Sequence, residues 1–238
     1  MLDMNQEERR EPQHKSMKVI NVAGARSVWL FDINDLNPRG KDIMPELLEW
    51  LKDNYHFDKA PTSIEQLDEK TKALKFERGR FQIKEEIYIT VGLEIYNDGI
   101  VAYSNSSTRD SEAFAEDLLS FTAKEFSLPY DPEIIKAKMQ TSELIVRLDS
   151  PLNNLNPKLL NFAAKVTSLC GYSDVPQFEV SGIGFGNDPV RSRLKLAGFM
   201  VERQNNTEYA QNRFYSKAPV HTDQHEELLM DFEGILAG

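Results

Sequence analysis

Apolar and polar residues alternate most regularly between positions 71 and 105. Because successive side chains of a strand point to opposite faces, such alternation predicts a strand with one buried face. Asn97-Asp98-Gly99 supplies a tight turn, after which residues 100–103 are predicted to return antiparallel, and residues 71–83 are predicted to pair as a further strand. The apolar positions of the central strand are Ile87, Ile89, Val91, Leu93 and Ile95.

The chain before this segment predicts two strands and a helix. Residues 17–22 and 26–33 are rich in β-branched and aromatic side chains, and Ala23-Gly24-Ala25 between them suits a hairpin. Large apolar residues then recur at helical spacing over residues 42–55, where Pro45 is tolerated because it falls in the first turn.

A capping signal follows the predicted strands. Thr108 or Asp110 is expected to cap a helix with an acidic first turn, since short oxygen-bearing side chains satisfy the first free backbone N–H groups. The helix is predicted to pack through one apolar stripe. That stripe contains Phe114, Leu118 and Phe121.

Two more helix starts combine a side-chain cap with proline at the first helical position. They are Asp131-Pro132 and Asn156-Pro157, and residues 143–148 between them are predicted to form a strand. The C-terminal part is predicted to contain strands near 176–185, 193–204 and 208–217, and a helix over 223–236.

The predicted elements occur twice in the same order. Strand, helix, three strands and helix are predicted between residues 26 and 126, and again between 141 and 236. Tyr103-Ser104 and Tyr215-Ser216 stand at corresponding places. Duplication and a chance likeness between amphipathic helices both remain open. The order resembles duplicated α+β folds such as that of the TATA-binding protein, in which two halves form one sheet, and this resemblance implies no function.

The predicted fold class is α+β, largely antiparallel β-meanders with helices packed on one face, in up to two similar β-α-β-β-β-α halves. Residues 1–16 carry few large apolar side chains and are expected to form a flexible N-terminal tail. Residues 17–130 and 131–238 are the expected halves, either packed together or forming one continuous domain.

Composition narrows the classes of function. The net charge of −10 repels the phosphate backbone and does not favour nucleic acid as a partner. Two groups of basic residues are local exceptions, although their alternation along predicted strands is typical of an ordinary solvated face. The groups are Arg78, Arg80 and Lys84, and Arg191, Arg193, Lys195 and Arg203.

The single cysteine, Cys170, cannot form an intramolecular disulfide, so a reducing compartment and a cytoplasmic location are expected. The N-terminal residues lack the apolar region of a secretory signal, and no apolar run is long enough to span a bilayer. Cys170 precedes Gly171, a predicted helix C-cap, and is expected to pack as a small hydrophobic residue rather than act as a nucleophile.

Glycines at 182, 184 and 186 form the strongest candidate for a phosphate-binding loop. Their spacing differs from that of a dinucleotide-binding fingerprint, and Asn187-Asp188-Pro189 leads into another predicted strand instead of a helix. Glycines two residues apart place bare backbone on one face of a strand. We therefore predict a packing role and no cofactor.

The candidate metal ligands are His221, His225 and Glu226. Thr222 is the better N-cap, so His221 is expected to precede the helix and His225 to be a half-buried packing residue. Residues 105–108 are interpreted as a hydroxyl-rich capping loop. Other carboxylates lie near strand ends without forming a catalytic motif: Asp32, Asp35, Glu85, Glu86, Glu94 and Asp98.

No catalytic residue can be assigned from these motifs, and the sequence favours a non-enzyme. The leading hypothesis is a non-catalytic protein-binding or regulatory subunit of an intracellular multi-protein assembly, with a protein partner or a homo-oligomer formed through a sheet face or edge. The alternatives are a metal-dependent hydrolase of the nuclease or phosphoesterase type and an acidic mimic of nucleic acid. Aromatic candidates for the binding surface are Tyr88, Tyr96, Tyr103, Phe185, Phe199 and Tyr215.

Overall fold

The computed structural model describes residues 17–172, 176–192 and 194–238. The predicted tail, residues 1–16, and the basic candidate Arg193 lie outside this part of the chain. The described strands are β1 Lys18–Leu30, β2 Leu74–Lys84, β3 Ile87–Tyr96, β4 Gly99–Ser104, β5 Ala137–Arg147, β6 Gly182–Phe185, β7 Phe199–Arg203 and β8 Arg213–Ala218. The described helices are α1 Met44–Asn54, α2 Thr108–Glu125, α3 Pro157–Leu169 and α4 Thr222–Ala237.

All described strands belong to one eight-stranded sheet with the order β2-β3-β4-β1-β5-β8-β7-β6. Every neighbouring pair is antiparallel. The strands β1 and β5 lie at the centre, and each is followed in sequence by a helix, three strands and a second helix. This architecture confirms the predicted α+β class, while duplication stays a prediction.

The hydrophobic core lies between one face of the sheet and the helices. Along β1, Ala25, Ser27 and Trp29 are buried at alternate positions, as the two-residue period of a strand requires. Two clusters of buried side chains fill this layer. The first includes Trp29, Leu51, Phe57, Phe76, Leu93 and Phe114. The second includes Leu144, Val146, Phe214, Leu229, Phe232 and Leu236.

The meander over residues 74–104 agrees with the sequence pattern. Gly99 forms the tight turn before β4 with a φ of +147°, and a Cβ atom there would lie 2.0 Å from the Trp29 carbonyl oxygen. Glycine is therefore required both for the backbone conformation and for the close approach of β1.

The hairpin predicted at Ala23-Gly24-Ala25 is wrong, because β1 runs without a turn through all three residues. The register with β5 shifts between Val22 and Gly24, so a bulge absorbs the irregularity that the sequence suggests is a turn. The pairing of β1 with β5 extends on both sides of the bulge, and β4 pairs with the other side of β1 from Ala25 onward.

Other sequence-based expectations need smaller corrections. Asp131-Pro132 opens only the short 3₁₀ turn Pro132–Ile134, because β5 begins soon afterwards at Ala137. Phe121, placed on the buried stripe of α2, is 50% exposed. The C-terminal strands form where they were predicted but are shorter, and β6 contains only Gly182–Phe185 of the predicted 176–185.

Candidate functional site

The N-termini of α2 and α4 meet and cap each other. The Thr108 backbone N–H donates to the Thr222 hydroxyl at 3.0 Å, and the Thr222 N–H donates to the Thr108 hydroxyl at 2.9 Å. Both threonines are buried. Each hydroxyl therefore satisfies the opposite helix, and the N-cap positions fall to Ser107 and His221 instead of the predicted Thr108 or Asp110 and Thr222.

The predicted metal ligands are not brought together. His221 Nδ1 lies 3.2 Å from the Thr108 hydroxyl, and its Nε2 lies 3.9 Å from a Glu112 carboxylate oxygen. Among residues 17–172, 176–192 and 194–238, no three His, Cys, Asp or Glu side chains are grouped closely enough to hold a metal ion. Glu226 therefore completes no such group with His221 and His225.

His225 is fully buried, whereas the sequence suggested a half-buried position. Its Nε2 lies 2.8 Å from the Ser216 hydroxyl, which itself donates to the Met200 carbonyl oxygen at 2.8 Å. Since a hydroxyl has one proton to donate, Nε2 must carry the proton of the imidazole. Nδ1 has no partner in the described part of the chain, and burial lowers the pKa of His225 to about 4.

The hydroxyl-rich segment 105–108 forms a capping loop, as predicted. The Ser107 side chain accepts a hydrogen bond from the Asp110 backbone N–H at 3.1 Å. The Ser111 hydroxyl nearby donates to the Ala25 carbonyl oxygen at 2.9 Å. The Ser107 hydroxyl satisfies a backbone N–H at the start of α2, and the Ser111 hydroxyl links α2 to β1, so both have structural roles.

The sheet face opposite the helices carries a polar network around Glu94. The Tyr96 hydroxyl donates to a Glu94 carboxylate oxygen at 2.6 Å, and the Lys75 ammonium lies 3.2 Å from the other oxygen. Burial alone would raise the pKa of Glu94, but the hydrogen bonds from Tyr103, Tyr96 and Lys75 lower it overall. The carboxylate is therefore held in its charged form, which is unsuited to a general acid at neutral pH.

A second carboxylate on this face, that of Glu143, also lies close to basic side chains that balance its negative charge. It lies 3.7 Å from the Arg26 guanidinium and 3.5 Å from the Lys217 ammonium. Desolvation and the neighbouring Glu143 raise the pKa of Tyr215. A shallow pocket of about 390 Å³ lies beside this network and is lined by Arg26, Lys75, Gly92, Glu94, Tyr103 and other residues.

The predicted aromatic surface is divided between different parts of the fold. Tyr96, Tyr103 and Tyr215 belong to the sheet face with the polar network, whereas Phe199 packs against Phe232 in the second core cluster. Tyr88 and Phe185 are exposed near strand ends. These six residues therefore do not form a single aromatic surface.

The remaining candidate carboxylates do not converge. Asp32 accepts a hydrogen bond from the Asn34 backbone N–H at 2.9 Å and begins a 3₁₀ turn. Glu94 belongs to the network described above. The others, Asp35, Glu85, Glu86 and Asp98, are exposed at turns and strand ends.

One basic candidate was misplaced by the sequence pattern. Arg203 is buried, with its guanidinium 4.5 Å from the Tyr209 ring centroid and 4.6 Å from that of Phe214. It also donates to the Tyr209 carbonyl oxygen at 2.8 Å, so it stabilises the fold around β7 instead of facing solvent. Arg80, Lys84, Arg191 and Lys195 are exposed, and Arg78 pairs with Asp58 at 3.2 Å.

The helix α3 has an unusual exposed apolar side. Asn156 caps the helix through the Lys158 backbone N–H, as predicted, but within Pro157–Leu169 only Ala163 is buried. Phe162 is 64% exposed and Leu169 is 76% exposed. We use the name α3 apolar surface for Leu159, Phe162, Leu169, Tyr172 and Phe178, all of them exposed.

Two observations define the surroundings of this surface. The Phe178 backbone N–H donates to the Thr167 hydroxyl at 2.9 Å, which holds Phe178 beside the helix. The only charged residues of α3 are Lys158 and Lys165. Residues 151–200 contain five basic and three acidic residues, although the whole chain has a net charge of −10. The segment that contains α3 is therefore less acidic than the chain as a whole.

The sequence analysis missed the residues of this surface. The spacing of Leu159, Phe162, Val166 and Leu169 indicates an amphipathic helix, but it does not reveal whether the apolar side meets the core. Cys170 is the C-cap of α3 and is partly exposed, and Gly171 follows with a φ of +69°.

Comparison with known proteins gives no family for this chain. Its sequence matches no protein-family model, and no curated protein matches it with statistical significance. None of the helices in the described residues combines the length and the apolar character required to cross a membrane.

Proposed function

We propose that this chain is a non-catalytic protein-binding subunit of an intracellular multi-protein assembly. The observation that carries the proposal is the α3 apolar surface. Leu159, Phe162 and Leu169 are exposed at three- and seven-residue spacing, which places them on one side of α3, and exposed apolar patches are typical of protein–protein interfaces. Aromatic residues such as Phe162 and Tyr172 are also the side chains that most often anchor an interface.

The charges of α3 suggest the chemistry of the partner. Lys158 and Lys165 are its only charged residues, so a bound segment with acidic residues beside its apolar side would be complementary. An exposed helix face is most readily covered by another amphipathic helix, which presents anchors at three- and four-residue spacing. We therefore propose that the partner contributes an amphipathic helix with acidic flanks.

Phe162 and Leu169 are expected to contribute strongly to binding, because both are large, apolar and mostly exposed on α3 itself. Fully burying a phenylalanine or leucine side chain contributes about 1.5–3 kcal/mol, so Phe162 and Leu169 together would supply several powers of ten in affinity. Introducing charge at these two positions should therefore abolish binding without disturbing the core, since neither side chain is buried.

We expect the double variant Phe162→Glu with Leu169→Glu to lose its partner. The tagged full-length chain would be expressed in its native cells, and proteins recovered with it would be quantified by mass spectrometry. A partner recovered in stoichiometric amount with the wild type should fall at least about tenfold with the variant. The matched control is Phe121→Glu with Ile87→Glu, which adds the same charges at two positions that are each 50% exposed.

Equal recovery from both double variants would contradict the proposed surface. The alternative of a metal-dependent hydrolase is tested on the same preparation by thermal unfolding with manganese, magnesium or zinc. A rise in Tm with one of these ions would favour the alternative, because a ligand that binds only the folded state stabilises it.

A further inference from the structure

The two edges of the sheet differ in whether they are covered. At the edge formed by β2, the Lys59 backbone N–H donates to the Glu77 carbonyl oxygen at 3.3 Å. The Glu77 N–H donates to the Lys59 carbonyl oxygen at 2.9 Å. The Arg80 N–H also donates to the Tyr55 carbonyl oxygen at 2.6 Å. The segment that follows α1 therefore covers the middle of the outer side of β2, between Glu77 and Arg80.

At the opposite edge, the geometry of β6 leaves outward backbone groups open. The Arg203 N–H donates to the Ser181 carbonyl oxygen at 2.7 Å, and Ile183 and Phe185 lie opposite Val201 and Phe199. Because hydrogen-bonded residues alternate along an antiparallel pair, Gly182 and Gly184 direct their N–H and C=O groups away from β7. No hydrogen bond from elsewhere in the described residues reaches these two glycines.

The composition of β6 offers little protection against pairing with another strand. Natural proteins usually protect such edges with lysine, proline or a bulge. The edge strand β2 has several charged residues and a register shift between Phe76 and Gly79. In contrast, β6 has the sequence Gly-Ile-Gly-Phe, with no charged residue and no proline.

The residues around Gly184 form a pattern that is symmetric in side-chain size. From Gly182 to Gly186, small and large residues alternate as Gly-Ile-Gly-Phe-Gly. We propose that β6 pairs antiparallel with β6 of a second copy of this chain, with Gly184 on the two-fold axis. In this register the backbone N–H of each Gly184 donates to the carbonyl oxygen of the other Gly184. The side chain of each Ile183 then lies opposite that of Phe185 in the other copy.

The symmetry of the pattern favours a second copy over an unrelated strand. A two-fold interface must be self-complementary. Pairing about Gly184 places Gly182, Gly184 and Gly186 at hydrogen-bonding positions of the new strand pair. It also places both Ile183–Phe185 pairs on the same face of the sheet. Phe185 is 59% exposed, so it is available to meet Ile183 of the other copy. A strand edge this short buries little surface, and we expect a weak dimer with a Kd below about 100 µM.

Sedimentation equilibrium of the full-length chain tests this dimer. Gly184→Pro removes the central outward N–H but leaves the bonds between β6 and β7, since proline is tolerated where the N–H of an edge strand faces away from the sheet. We expect this variant to raise the dimer Kd by at least about tenfold. Gly184→Ala is the matched control, because its Cβ would lie 3.8 Å from the nearest atom, the Phe199 carbonyl oxygen, and it keeps the N–H.

A second variant keeps the test decisive if the proline disturbs folding. Phe185→Glu changes an exposed side chain and should weaken the dimer similarly, because each carboxylate would face the Ile183 of the other copy. A wild-type chain that is monomeric at about 300 µM would overturn the proposal. So would a dimer unaffected by Phe185→Glu, or one unaffected by a folded Gly184→Pro variant.

The dimer is independent of the proposed function, and the two can fail separately. The variant Phe162→Glu with Leu169→Glu leaves β6 unchanged and is expected to dimerise with the wild-type Kd while losing the partner. Gly184→Pro is expected to keep the partner while losing the dimer. If the α3 variant abolishes the dimer, the second copy occupies the α3 apolar surface, and the β6 interface is overturned.

Discussion

Phe114→Ala is expected to lower the free energy of unfolding by about 4 kcal/mol, the largest stability effect that we predict for a single substitution. Phe114 is fully buried on α2, and its ring centroid lies 5.1 Å from that of Tyr55 and 5.5 Å from that of Phe81. Truncation would leave a cavity in the first core cluster and remove these aromatic contacts together with that to Phe57. Urea unfolding followed by circular dichroism measures the loss.

Phe121→Ala provides the matched control for this prediction. Both phenylalanines lie on α2 and belong to the apolar stripe that the sequence indicates, but Phe121 is exposed. Its truncation should cost less than about 1 kcal/mol. Similar losses at the two positions would mean that α2 does not pack on the sheet through the side that contains Phe114.

The stability of the protein is expected to fall by about 3 kcal/mol between pH 6.5 and pH 4 because of His225. Burial lowers the pKa of this imidazole to about 4 in the folded state, whereas an unfolded histidine has its ordinary value. Between these values the unfolded chain binds a proton that the folded chain does not. This destabilisation is therefore absent above pH 6.5, grows as the pH falls, and is complete below pH 4.

The variant His225→Gln isolates this effect from the titration of carboxylates. Glutamine does not titrate, and its amide can still donate to the Ser216 hydroxyl. The difference in unfolding free energy between wild type and variant should change by about 3 kcal/mol across this pH range. A difference that stays constant with pH would show that His225 is not held neutral by burial.

The sequence predicts the strands of this fold better than their connections. The alternation over residues 87–95 places β3 correctly, and its partners β2 and β4 follow from the turn at Gly99. The same type of reasoning fails at Gly24, because a glycine between two β-rich runs suits a turn and a bulge equally well. Only the pairing of β1 with two neighbours, which is not local, distinguishes these possibilities.

The candidate binding surfaces were less accessible from the sequence. The apolar spacing of α3 predicts a helix, but whether Phe162 meets the core or solvent depends on where the neighbouring elements lie. Glycines at 182 and 184 were correctly placed on a strand, but the predicted packing role is wrong, because both are exposed and a Cβ at Gly184 would meet no atom closer than 3.8 Å. That β6 is the last strand of the sheet follows only from the tertiary structure.

Photo-crosslinking from the α3 apolar surface tests the central proposal most directly. A photo-crosslinking phenylalanine analogue would be placed at position 162 of the full-length chain in its native cells, and at position 121 as the control. We predict one abundant crosslinked product from position 162, containing a different protein joined through an amphipathic segment with acidic flanks, and none from position 121. No crosslinked protein from position 162, or the same products from both positions, would contradict a protein-binding role for this surface.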